Sequence, residues 1–168
     1  MRELVLGCGP RPRRYIHLPG KGEEFVNPTL LDVDPHVGAD VVHDLNTLPY
    51  PFEDGTFDEI HAYNVLEHTG RQGDWRFFFA QFNELARVTH VGGILCAAVP
   101  SLASVWLWGD PGHTRAITRE QLMFLDRDVY GTGQLQSDGY LSHLVHSWRL
   151  AFHQDDGKHM MFVLERVD

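Results

Sequence analysis

The apolar positions of this chain fall into short runs, each closed by a polar or turn-forming residue. ELVL (3–6), TLLDV (29–33), DVVH (40–43), FDEIHAY (57–63) and ILCAAVP (94–100) are short and rich in aliphatic residues. Runs of this length bounded by turn signals predict buried strands whose C-terminal ends carry the polar residues. Between the last two runs the period changes. In DWRFFFAQFNELARV, residues Trp75, Phe78, Phe79, Phe82, Leu85 and Ala86 repeat at helical spacing. Asp74 is placed to cap that helix, and Gly92 with Gly93 is expected to end the segment. Strand, helix, strand implies a parallel pair. Thr118 and Gln121 have capping-box spacing ahead of Leu122, Met123 and Leu125, predicting a further helix from Thr118. Two strand-like runs around Asp156 and Gly157 in SWRLAFHQDDGKHMMFVLERV predict a closing hairpin. The expected fold class is therefore α/β, a mostly parallel sheet flanked by helices with a C-terminal antiparallel hairpin at its edge. One junction strains this pattern. Only a few residues, DPHVG, separate the second run from the third, whereas a parallel crossover takes about a dozen. Either 40–43 is not a parallel neighbour of 29–33, or that edge of the sheet is trimmed to loops.

Composition narrows the function. A chain of 168 residues, 43% hydrophobic and 22% charged, suits one domain spanning 1–168 with its own core. Lys+Arg 14 against Asp+Glu 23 gives a net charge of -9, which repels phosphate backbones and argues against nucleic acid or an anionic membrane as partner. No apolar run approaches the roughly 20 residues of a membrane span. Cys8 and Cys96 have no CxxC spacing and no secretory leader is recognisable, so neither a cysteine zinc site nor a disulfide framework is expected. A reduced, cytoplasmic setting fits these features.

In open α/β sheets ligands bind beyond the carboxyl ends of the strands. Those ends here offer Gly7-Cys8-Gly9, then Asp32 and Asp34, then Asp44, then Asn64 with Glu67 and His68, then Pro100-Ser101. Glycines let a ligand approach the main chain, and a carboxylate after the second strand is suited to accept from two ribose hydroxyls. A lone GxG is ordinarily only a tight turn, and Asp34-Pro35 alone is a turn signal. Their joint occurrence in order points to nucleoside binding. Pro12 stands where a dinucleotide fingerprint requires a third glycine, which counts against NAD or FAD and hence an oxidoreductase.

LVLGCG, LLDVDP, HDLNTLPYPFEDGTFDEIHAYNVLEH and ELARVTHVGGILCAAVP resemble, in order and spacing, the motifs of the class I S-adenosylmethionine-dependent methyltransferases. The likeness covers residues 3–100 and looks closest to a small subgroup with LGCG, an abbreviated second-strand region and a later D-P-x-H segment, here GDPGHTR. It implies a Rossmann-like sheet and S-adenosylmethionine as cofactor. By that resemblance Gly7, Cys8 and Gly9 hold the methionine part, Asp32, followed by Asp34, takes the ribose hydroxyls, Asp44 and Leu45 meet the adenine, and Asn64 lies near the sulfonium. Two departures are plain: Val5 replaces the acidic residue usual two positions before the first glycine, and the third glycine of the loop is missing. Arg11, Arg13 and Arg14 are candidates to pair with the methionine carboxylate instead.

Methyl transfer to an O- or N-nucleophile needs an in-line acceptor, a dry site and, where a proton must leave, a base. Histidine exchanges protons near neutral pH, so His68 in VLEH and His113 in WLWGDPGHTR are the candidate bases, with Asp110 orienting His113 and Arg115 holding an anionic acceptor. Trp106 and Trp108 are candidate walls. The plain alternatives are a packed or capping histidine and core aromatics. Members of the wider superfamily that hold a divalent ion do so through acidic and His residues around a similar LEH stretch; with Asn64 in place of the first carboxylate, no metal is expected. With the first strand opening at residue 3, the acceptor site is expected from loops 101–117 and 131–142. It would suit a bulky acceptor such as a glycan, or a homo-oligomer or partner subunit that completes the pocket. The alternative function is a non-catalytic adenosyl-cofactor-binding or scaffold protein.

Overall fold

A computed structural model describes residues 2–168. Its frame is a seven-stranded sheet in the order β3-β2-β1-β4-β5-β7-β6. The strands are β1 (Glu3–Leu6), β2 (Thr29–Asp32), β3 (Val41–Val42), β4 (Phe57–Tyr63), β5 (Thr89–Pro100), β6 (Trp148–Asp155) and β7 (His159–Arg166). β1 to β5 run parallel, while β7 lies antiparallel between β5 and β6. The hairpin turn falls where Asp156 and Gly157 place it: Asp156 accepts the N–H groups of Lys158 and His159, and Gly157 has a φ of 83°.

The narrow edge is trimmed to loops. Leu31 pairs with Val41 and Asp32 with Val42, so β3 is a true parallel neighbour of β2. A crossover this short works because β3 is only two residues long and the Asp40 carboxylate accepts the Leu30 N–H, pinning the returning chain to the sheet edge.

α1 (Trp75–Val88) has the bounds that its apolar period predicts. Asp74 accepts the Phe77 N–H at 3.1 Å, and Phe79, Phe82, Leu85, Ala86 and Val88 are buried against the sheet. Its end differs from expectation. The chain enters β5 directly at Thr89, and Gly92 and Gly93 form an irregularity inside that strand, where the pairing jumps from Phe57–Thr89 to Glu59–Ile94. A Cβ at residue 93 would stand 2.8 Å from the Asp58 carbonyl, so the strand bulges only with glycine there. Two short helices follow, α2 (Trp106–Gly109) and α3 (Arg119–Met123), and Thr118 with Gln121 forms the expected capping box.

Only one face of the sheet is packed by α1. There Leu4, Leu6, Ile60, Ala62, Leu95, Ala97, Phe162 and Leu164 form the main core. The opposite face carries the register row Val5, His61, Cys96 and Val163, and it is covered by the loop after β1, through Ile16 and Leu18, instead of by a helix. Pro10 and Pro12 withhold backbone donors where a helix would start. The loop is instead tied down by ion pairs: Arg14 and Lys21 each reach Glu3 at 2.5 Å, and Lys21 reaches Glu59 at 2.6 Å.

Candidate functional site

The parallel strands all end on one side, and their termini line three adjoining cavities. The first, of about 120 Å³, is bounded by Gly7, Asp32, Asp44, Leu45, Val65 and His68. The second, of about 340 Å³, is bounded by Gly7, Cys8, Gly9, Arg11, Arg13, Tyr63 and Asn64. The third, of about 620 Å³, is bounded by Asn64, Glu67, His68, Trp106, Asp110, His113, Lys158 and His159. Gly7 is shared by the first two, Asn64 by the last two, and His68 by the first and third.

The glycine loop owes its shape to two features. Gly7 has a φ of 58°, and a Cβ there would lie 2.5 Å from Val65 Cγ2. Gly9 also has a positive φ, and its N–H donates to Asp32 Oδ2 at 2.9 Å. Asp32 Oδ1 accepts the Asp34 N–H at 3.0 Å, so each oxygen has spent one acceptor site on the main chain and retains another. Asp44 accepts from the backbone and side chain of Asn46, and these bonds hold its carboxyl below the ordinary value. The Cys8 thiol is pushed up to about 11, first by burial and then by the charge of Asp32, so it stays a neutral wall group. Asp34 is exposed, is absent from the walls of these cavities, and uses its carboxylate to accept the His36 N–H.

A 3-10 turn (Leu66–His68) follows Asn64 and presents Glu67 inward. Glu67 is 1% exposed, and neither carboxylate oxygen has a hydrogen-bond partner. Burial raises its carboxyl to about 7. His113 Nε2 lies 3.9 Å from Glu67 Oε1 and 3.9 Å from Asp110 Oδ2. The rings of His68 and His113 meet edge to face with centroids 4.7 Å apart. Thus His68 and His113, remote in sequence, share one wall.

Several expectations need correction. Asp110 stands on the Nε2 side of His113, 3.9 Å away, while His113 Nδ1 is 3.0 Å from the Leu107 carbonyl oxygen. Arg115 is buried, donates to the Leu66 carbonyl, the Thr69 hydroxyl and Gln81 Oε1, and lines a separate cavity at the start of α1 instead of the third cavity. Arg14 is likewise committed, to Glu3 and to the Gly22 and Glu24 carbonyls; of the three loop arginines, Arg11 and Arg13 face the cavity. Trp106 lines the third cavity and Trp108 does not. The 131–142 loop packs elsewhere, with Tyr140 stacked on Phe79 beside a separate aromatic-lined cavity at the start of α1. In its place the hairpin tip brings Lys158 and His159 to the site, because the antiparallel register sets His159 opposite Pro100. Sequence reasoning missed these two, since nothing local tells which strand the hairpin will join.

No protein-family model and no curated protein sequence matches the chain. Solved structures do. An S-adenosylmethionine-dependent methyltransferase from Archaeoglobus fulgidus superposes with a TM-score of 0.58 at 13% identity, covering 98% of this chain and 85% of that one. The N-methyltransferase NodS from Bradyrhizobium japonicum, in complex with S-adenosyl-L-homocysteine, gives 0.57 at 13% identity, covering 99% and 78%. The [4+2]-cyclase SpnF gives 0.56 at 15% identity, covering 99% and 75%. The fold is accordingly the Rossmann-like fold of class I S-adenosylmethionine-dependent methyltransferases. The cyclase on that same fold means that chemistry has to be argued from the site.

Proposed function

We propose that the chain is an S-adenosylmethionine-dependent methyltransferase acting on an oxygen or nitrogen nucleophile. The observation that carries this reading is the continuity of the three cavities along the strand ends, with a ribose-competent carboxylate at the first and an open chamber bearing Glu67, His68, Asp110 and His113 at the third. Asp44 and Leu45 would meet the adenine, and the spare lone pairs of Asp32 would accept from the ribose hydroxyls. Gly7 to Gly9 with Arg11 and Arg13 would hold the methionine end. Guanidinium pairs bidentately with a carboxylate, so these arginines would hold the carboxylate of the methionine end, while Val5 offers its ammonium no acidic partner. When bound, the cofactor supplies an electrophilic methyl group on a sulfonium, next to Asn64.

The chain's own share is positioning and proton handling. The Leu107 carbonyl can only accept, so His113 Nδ1 carries the hydrogen and Nε2 keeps a lone pair turned into the acceptor cavity. That nitrogen is suited to take the acceptor's proton, with Glu67 and Asp110 close enough to stabilise the imidazolium. Trp106 offers an exposed ring beside a cavity that also carries Asp110, His113 and Lys158, an arrangement suited to a glycan or other bulky acceptor. Leu102, Val105 and Trp108, exposed next to it, give the acceptor or a second subunit apolar surface to rest on.

Titration calorimetry with S-adenosylhomocysteine tests the reading. Saturable binding is expected, weakened at least about 100-fold in Asp32→Ala, the loss of two charge-assisted hydrogen bonds. No binding at millimolar ligand would overturn it. A second reading, an adenosyl-cofactor-binding protein without turnover, is favoured by Val5 and the missing third glycine. Release of S-adenosylhomocysteine across an acceptor library separates the two.

A further inference from the structure

We propose that Glu67, His68 and His113 form a binding site for one divalent transition-metal ion on the wall of the third cavity. One ligand atom from each residue lies within 4.8 Å of the others. Metal bonds to imidazole nitrogen and carboxylate oxygen are about 2.0–2.2 Å, so ligand atoms around one ion stand roughly 3–4 Å apart. Rotation of the exposed His68 side chain closes the difference.

Three features of the wall call for a cation and not merely for proximity. His68 Nδ1 lies 3.1 Å from the Gly112 carbonyl oxygen and His113 Nδ1 lies 3.0 Å from that of Leu107. Carbonyls only accept, so both Nδ1 atoms carry hydrogen and both Nε2 atoms are left with free lone pairs. This is the tautomer, and the supporting main-chain contact, that metal-bound histidines use. Glu67 then adds two buried oxygens with no donor. Leaving a buried carboxylate unpaired is costly, and Arg115, whose charge favours the ionised Glu67, directs its Nε and Nη2 hydrogens to Leu66, Thr69 and Gln81 and makes no hydrogen bond to Glu67. Finally, the 3.9 Å between Glu67 Oε1 and His113 Nε2 is too long for a shared proton, whereas two metal bonds of about 2.1 Å span it.

The donor set is two imidazoles and one carboxylate, without thiolate, which suits ions such as Zn²⁺, Fe²⁺, Co²⁺ or Mn²⁺ and leaves positions open for water or acceptor. Asp110 Oδ2, 3.9 Å from the same Nε2 on a half-exposed side chain, is placed to become a fourth ligand. The site departs from the metal-free expectation based on Asn64, because the third ligand comes from His113. It is argued from protein atoms alone and does not depend on methyl transfer; with an ion bound, His113 Nε2 is a ligand and not a base, so the proton-accepting role of His113 belongs to the ion-free chain.

The test is titration of the full, chelator-stripped chain with Co²⁺, followed by its visible spectrum, and with Zn²⁺ by calorimetry. One ion per chain is expected, with d–d bands of a low-coordinate nitrogen and oxygen site. Glu67→Gln, His68→Gln and His113→Gln should each weaken uptake at least about 10-fold, while the exposed His36→Gln leaves it unchanged. Zn²⁺ should raise the Tm of the parent chain and not that of His68→Gln. His68 is exposed, so its variant keeps the fold even if Glu67→Gln does not. Absence of stoichiometric uptake at micromolar metal, or unaltered uptake in folded His68→Gln, would overturn the proposal. Failure to bind S-adenosylhomocysteine would leave it standing.

Discussion

The two glycines that begin the ligand loop have nearly the same backbone angle and different surroundings, so they separate conformational strain from steric contact. Gly9 has nothing within 4 Å of an added Cβ, whereas Gly7 faces Val65 Cγ2 at 2.5 Å. Gly9→Ala should cost about 1–2 kcal/mol, the expense of a left-handed L-residue. Gly7→Ala adds displacement of Val65, the residue that leads into Glu67, and should cost at least about 1 kcal/mol more and weaken S-adenosylhomocysteine binding as well. Urea unfolding of both variants checks this; equal losses would remove the steric argument. Gly7, Gly9, Asp32 and Asn64 were legible as strand-end residues because their chemistry is local: a positive φ, or a carboxylate at the end of a strand. Arg115 and Glu67 were not. A sequence shows a guanidinium and a carboxylate, but whether each is paired depends on which distant carbonyls and side chains surround it.

The start and buried face of α1 were legible because an apolar period with an N-cap aspartate is a local code, enforced by burial of one face. Phe82 lies at the centre of that face, fully buried, and its carbonyl accepts the Trp148 indole N–H at 3.0 Å. Phe82→Ala should destabilise the protein by about 3–5 kcal/mol in denaturant unfolding, through lost apolar contact and an unfilled cavity. A loss under about 1 kcal/mol would mean that the helix is not seated on the sheet as described. Where elements meet, local reading failed. Gly92 and Gly93 look like a helix end and are a bulge in β5, since the carbonyls that crowd residue 93 include that of Asp58 on the neighbouring strand.

The sheet is packed on two unlike faces, by a helix on one and by a charged loop on the other, and His61 records the second. Fully buried beneath Arg14 and Phe25, it has its pKa pulled down to about 3, first by burial and then by the Arg14 charge. It is therefore neutral in the fold and protonates near pH 6.5 only when unfolded. The stability that this provides is complete above pH 6.5 and is lost as pH falls, by about 2 kcal/mol between pH 7 and pH 5. Glu67, raised to about 7, shifts stability in the opposite direction over the same window in both chains, so the His61 contribution is read as the difference in urea unfolding between the parent and His61→Gln, which should change by about 2 kcal/mol between the two pH values. An identical slope in both would place His61 in a solvated setting.

Strands, α1, the α3 capping box and the terminal hairpin follow from side-chain order alone, because burial period, capping and turn chemistry act over a few residues. The order of the strand-end residues likewise pointed to an adenosyl site before any geometry was known. Tertiary structure decided the rest: that the loop after β1 covers a sheet face, that the hairpin tip and not the 131–142 loop walls the third strand-end cavity, and that His113 joins His68 and Glu67. Each of these depends on pairing between segments far apart in the chain, and the partner that satisfies or orphans a buried polar group is set by that pairing.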